Sequence, residues 1–305
     1  MAISETDGMG FWLVTRRWFL TGAAACGGIT RANLRDYRLH QPVFLFKLGC
    51  QSEWRCLFGH ATSGQQMKTA DLLLGENEVS VWLLDIHRDM TDHWHILSSD
   101  EKQRADRFQR ENDRLRFITA HGMLRIILAR CLQENPGDLV FSAGPFGKPF
   151  LPAYPHLQFS LSHSSDKAAL AVALRRSVGI DIECTTSSRK ITADMEERIL
   201  SENEIATVSN LAESAKQLEC LRLWTHKEAY LKAIGSGLSL PPREIEFCAG
   251  SDSLLVLRRS GIVAKDSSIW SSRELTEISG YVGAVVAEGA SWNLKRYDYL
   301  LTGTV

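Results

Sequence analysis

The sequence predicts an α+β fold: two similar α/β halves related by a pseudo-two-fold axis, with the active site in the cleft between them. An internal echo is the first reason. Ile96-Leu97-Ser98 with Glu101 recurs as Ile199-Leu200-Ser201 with Glu204, an offset of 103. Arg116-Phe117-Ile118-Thr119 recurs as Arg222-Leu223-Trp224-Thr225, and Phe141-Ser142-Ala143-Gly144 as Phe247-Cys248-Ala249-Gly250, both at an offset of 106. The second reason is that apolar runs of strand length occur around one long helical stretch in each copy. Third, two copies are too few for a solenoid, which leaves halves packed about a pseudo-two-fold axis, and clefts between such halves are common ligand sites.

Taken in order, residues 1–74 are expected to form a poorly ordered N-terminal extension. Thr15-Arg16-Arg17-Trp18-Phe19-Leu20 resembles a twin-arginine export signal, but Thr21, Gly22, Gly27 and Gly28 interrupt the apolar stretch that such a signal needs. Val43-Phe44-Leu45-Phe46 shows neither helical nor strand periodicity. The working domain is expected to begin near Glu76, with a first half over 75–176 and a second over 177–300. A strand over Val79 to Ile86 leads to Ser98-Ser99-Asp100-Glu101, a helix-capping signal, and a helical region to Leu132 that Asn135-Pro136-Gly137 ends. Strands are expected around Phe141 to Pro152, at Leu157 to Leu161 and at Ala168 to Leu174, the last echoed by Tyr281 to Ala287. In the second half Trp224 to Leu238 reads as a helix with a glycine exit at Gly235 and Gly237.

Composition narrows the function. A chain of 305 residues with net charge −1 can bury a sizeable core and gives no reason to invoke nucleic acid or a membrane as partner. The seven cysteines are scattered without a CxxC pair, which points to a reducing, cytoplasmic setting and mostly buried thiols. His93 and His95 beside Asp92 have no second cluster and read as part of a surface or core face.

The chemistry gathers in two stretches of the second half. In Gly179-Ile180-Asp181-Ile182-Glu183 the period of a strand turns both carboxylates to one side and both isoleucines to the other. In the later helix Trp224, Glu228 and Lys232 follow each other at i, i+4 and i+8 and share a face. Asp181, Glu183 and Glu228 supply only oxygen, the donor set of a hard cation such as Mg2+ completed by phosphates and water. Taken singly, the strand carboxylates would be solvated and Glu228–Lys232 an ordinary surface pair. The apolar residues around Glu228 make this helix too apolar for free solvation.

Gly179-Ile180-Asp181-Ile182-Glu183, followed by Trp224-Thr225-His226-Lys227-Glu228-Ala229 and Lys232-Ala233-Ile234-Gly235, resembles the signature of the 4'-phosphopantetheinyl transferase superfamily. Length and duplication resemble its Sfp-type, two-half branch. Phe146-Gly147-Lys148-Pro149 resembles the family's GKP loop, and Phe159-Ser160-Leu161-Ser162-His163-Ser164 its SHS strand end. The resemblance implies coenzyme A as co-substrate, Mg2+ held by Asp181, Glu183 and Glu228, and an apo acyl or peptidyl carrier protein as partner of a monomer. It implies further that Arg104, Arg116 and His163 hold the 3'-phosphate and that Lys148 lines the adenine and phosphate pocket. Ser162 would contact a phosphate, Lys232 would reach the pyrophosphate, and Glu228 would act as base. The chain departs from the family at Glu101, where many relatives are basic. At the offset of 106 the counterpart of Glu228 is Gly122, so one active site is expected, not two. A Mg2+-dependent nucleotide phosphohydrolase and a non-catalytic coenzyme A- or carrier-binding module are the competing classes.

Overall fold

In the computed structural model, residues 74–86, 91–186, 190–249, 255–259, 269–276 and 278–299 are described. The extension, its paired arginines and the Val43–Phe46 run lie outside them. Strand β1 (Glu78–Asp85) turns Val79 and Val81 to one face and Trp82 and Leu84 to the other, the period of two that a strand buried on both faces requires. A short 3-10 helix (Thr91–Ile96) leads into helix α1 (Ser99–Ala105), where Ser98 and Glu101 close the expected capping box. Helix α2 (Glu111–Leu132) follows, then a small hairpin of β2 (Ser142–Ala143) and β3 (Pro149–Phe150), then β4 (Leu157–Ser164) and β5 (Lys167–Leu174).

The second half runs through β6 (Val178–Cys184), α3 (Ala193–Ile199), α4 (Glu202–Val208), α5 (Glu213–Ile234), β7 (Glu246–Ala249), β8 (Leu255–Arg259), β9 (Trp270–Glu274), β10 (Tyr281–Glu288) and β11 (Asn293–Tyr299). One sheet has the order β11-β1-β5-β4, the other β6-β10-β9-β8-β7. The trio β1-β5-β4 thus corresponds to β6-β10-β9, each antiparallel throughout. The two sheets bury one core against each other, with Val79, Val81, Ala169 and Ala171 of the first meeting Ile180, Ile182 and Val285. Helix α2 covers Trp82, Leu170 and Val172 on one outer face, and α5 covers Ala284 and Val286 on the other.

Three expectations change. Residues 293–299, assigned by position to the second half, complete the sheet of the first: β11 lies parallel to β1, and Tyr297 stacks on its register partner Trp82 at 4.9 Å between ring centres. Without it β1 would leave an unpaired edge. The repeat register also shifts. Helices α2 and α5 each have 22 residues, starting at 111 and 213 and ending at 132 and 234, so the helical offset is 102, not 106. The counterpart of Glu228 is therefore Ile126. Gly122 instead lies beneath His93, whose Cβ would be only 2.4 Å from a Cβ placed there. Finally, among the described cysteines only Cys220 is buried; Cys131 and Cys184 are half-buried and Cys248 is exposed.

Candidate active site

The site is the contact between β6 and the last three turns of α5. Helix α5 ends where Gly235 adopts φ 66°, a left-handed cap that glycine tolerates without cost. Strand β6 approaches it so closely that a Cβ on Gly179 would sit 1.9 Å from the Ala229 carbonyl oxygen and 2.5 Å from the Ala233 nitrogen. Because Ile180 and Ile182 fill the core between the sheets, the alternate residues Asp181 and Glu183 face α5. The helix spacing does the rest. Lys232 Nζ donates to Asp181 Oδ1 at 2.6 Å, and the Trp224 side chain hydrogen-bonds Glu183. Glu228 lies between these contacts on the same face.

Burial first, then the neighbouring Asp181 carboxylate, pushes Glu228 up to about 8 and Glu183 up to about 7. Burial works to lower Lys232, yet Asp181 and Glu228 outweigh it and raise this ammonium above its ordinary value. Asp181 Oδ2 is buried without a hydrogen-bond partner. A cluster of carboxylates with one ammonium and an orphaned oxygen is short of positive charge. Among the described residues no three His, Cys, Asp or Glu side chains converge closely enough to hold a metal by themselves. The expected convergence is thus looser than the spacing suggests, because Lys232 takes Asp181 Oδ1 while Ser164 and Trp224 take Glu183.

From the first half, β4 brings Ser162 and His163 to the same place. Ser162 Oγ donates to Asp181 Oδ1 at 2.7 Å and accepts from Lys232 Nζ at 3.0 Å. Burial, then Lys232, His121 and Arg116, holds His163 down to about 4. Arg116 bonds Asp166 at 2.7 Å and Asp113 at 3.2 Å, and Arg104 stacks on the Phe117 ring. The Lys148 ammonium donates to the carbonyls of Ala233 at 2.7 Å and Val178 at 3.2 Å, and burial lowers it to about 8. It ties the β2–β3 loop to the second half. Glu101 is buried and accepts from Arg125, the Ser98 backbone and His121. Lys227, next to Glu228 in sequence, points away and donates to Glu204 and the Ile199 carbonyl.

Three contributors are not among the expected site residues. His121 sits beside His163 and Arg104, a buried imidazole that burial first of all lowers from its ordinary value; its only sequence signal is its place one turn after Phe117. Trp224 was placed on the right face without a role. Ser164 Oγ donates to Glu183 Oε2 at 2.9 Å; its signal was the alternation Ser160, Ser162, Ser164 on one strand face.

Comparison with known proteins gives this geometry a family. The 4'-phosphopantetheinyl transferase superfamily matches residues 177–286, and the family described as 4'-phosphopantetheinyl transferase, N-terminal, matches 85–175. The chain is 34% identical over 241 residues to 4'-phosphopantetheinyl transferase HetI of Nostoc sp., covering 76% of this chain and 97% of that protein. It is 28% identical over 146 residues to 4'-phosphopantetheinyl transferase Sfp of Bacillus subtilis, covering 48% of this chain and 63% of the other. With both halves matched in order and nearly the whole of one relative spanned, the chain belongs to the 4'-phosphopantetheinyl transferase superfamily.

Proposed function

We propose that this chain is the enzyme that moves the 4'-phosphopantetheine arm of coenzyme A onto a serine of an apo carrier protein, releasing adenosine 3',5'-bisphosphate. What supports the chemistry most is the buried apposition of Asp181 and Glu183 on β6 with Glu228 and Lys232 on α5. The residues fit Mg2+: the donors are all oxygen, Asp181 Oδ2 has no partner, and a hard cation of this kind takes its remaining ligands from phosphates and water. Asp181, Glu183 and Glu228 would hold it, and when bound it neutralises charge on the phosphate oxygens.

The protein's own part is to position, desolvate and move one proton. Glu228 accepts the proton of the carrier serine, whose Oγ forms the new bond to phosphorus as the pyrophosphate oxygen leaves with its electron pair. Lys232, charged and within reach of both Asp181 and Ser162, is placed to give its ammonium to the leaving phosphate. His163 is neutral while its surroundings are cationic; a phosphate dianion beside it would draw a proton onto the ring. Arg104 and Arg116 stand on the same side as fixed charges for that phosphate.

The test is mass spectrometry of an apo carrier incubated with the protein, coenzyme A and Mg2+. The expected outcome is a gain of one phosphopantetheine unit, lost with Glu228→Gln and with Asp181→Ala although both variants retain the circular dichroism of the wild type. Unmodified carriers of the fatty-acid and peptide types, under conditions where a known transferase modifies them, overturn the proposal. Release of adenosine 3',5'-bisphosphate from coenzyme A alone would favour a phosphohydrolase.

A further inference from the structure

Strand β6 is the edge of its sheet, and among the described residues its outward N–H groups have no neighbouring strand to pair with. Hydroxyls replace one. Ser160 Oγ accepts from Ile180 N at 3.2 Å, Ser162 Oγ from Ile182 N at 3.4 Å, and Ser164 Oγ from Cys184 N at 3.0 Å. All three serines belong to β4, so the seam between the halves is a ladder of side chain to backbone bonds. Two of its rungs reach further. Ser162 donates its proton to Asp181 and Ser164 to Glu183, each to the residue 19 positions on. The residue 19 on from Ser160 is Gly179, which has no side chain to receive one.

We propose that Ser162 and Ser164 are positioning residues which set the rotamers of the two metal-binding carboxylates from the opposite half of the molecule. The inference rests on the metal reading given above. A hydroxyl that accepts from the β6 backbone has its remaining proton aimed at the carboxylate one residue away, so each carboxylate is fixed in register with its own strand. With Oδ1 held by Ser162 and Lys232, the other oxygen of Asp181 is left buried without a hydrogen-bond partner. Metal ligands oriented in this way by an outer hydrogen bond lose affinity when that bond is removed.

Ser160 provides an internal control because it makes the same seam bond with no carboxylate behind it. The experiment is a Mn2+ titration, followed by water-proton relaxation, of the wild type, Ser164→Ala and Ser160→Ala, each with saturating coenzyme A. Ser164→Ala is expected to weaken Mn2+ binding by about tenfold or more, with a matching rise in the Mg2+ concentration for half-maximal transfer and a restored rate at saturating Mg2+. Ser160→Ala is expected to lower the melting temperature while keeping Mn2+ affinity within about twofold of wild type. Should Ser164→Ala fold poorly, Ser164→Cys keeps the volume but donates weakly, and the same loss of affinity is expected. Wild-type affinity in the Ser164 variants, or equal losses in the Ser164 and Ser160 variants, overturns the inference. A wild-type protein that modifies its carrier yet takes up no Mn2+ removes the metal reading and this inference with it, while leaving the transferase assignment intact.

Discussion

Glu228 and Glu183 cost the metal-free protein stability whenever they ionise. Their folded values, about 8 and about 7, lie above the ordinary carboxylate range because burial and Asp181 oppose a further negative charge. The folded state therefore binds protons that the unfolded chain releases, and stability falls as pH rises from the unfolded value through the folded ones. With a chelator present, the melting temperature is expected to drop between about pH 5 and pH 8, and Glu228→Gln should flatten that slope. Excess Mg2+ at pH 8 should recover much of the loss, since it binds only the folded site. At this scale the sequence was legible where spacing decides direction: Asp181, Glu183, Glu228 and Lys232 follow from periods of two and four. It did not show the partners of Lys148 and Lys227. Both carry long flexible chains whose ammonium groups find backbone carbonyls that only the tertiary fold brings near.

Strand β6 comes tight against α5 at Gly179. A side chain there collides with helix backbone, which cannot rotate away, so Gly179→Val should separate the strand from the helix that it faces. The expected cost is about 3 kcal/mol or more in urea unfolding, with transfer lost more completely than stability. Pairs of elements also explain why the repeat was read one turn out of register. An offset of 106 instead of 102 moves a helix by four residues, which returns to the same face, so the apolar pattern matches nearly as well. Polar contacts settle the choice. Arg125 grips the capping-box Glu101 of α1, and Lys227, 102 residues on, grips the capping-box Glu204 of α4. Each cation is almost fully buried and also donates to backbone carbonyls, which identifies the two as equivalent corner anchors.

Across the molecule, the two-half architecture was legible because each half repeats a capping box, a 22-residue helix and a pair of apolar strands. The crossing of β11 was not, because a parallel strand partner far along the chain leaves no local pattern. Its weight can be measured. A chain ending at Trp292 removes the parallel partner of β1 and the ring stacked on Trp82, and is expected to melt at lower temperature and to self-associate through the bared edge, visible by size-exclusion chromatography. The interleaving of β11 also bears on how such proteins can be recombined. A chimera joined once, between Leu174 and Val178, would carry a foreign strand in the sheet of its first half. A working exchange of halves between relatives therefore takes two crossovers, the second placed between β10 and β11, so that the strand travels with the sheet it completes.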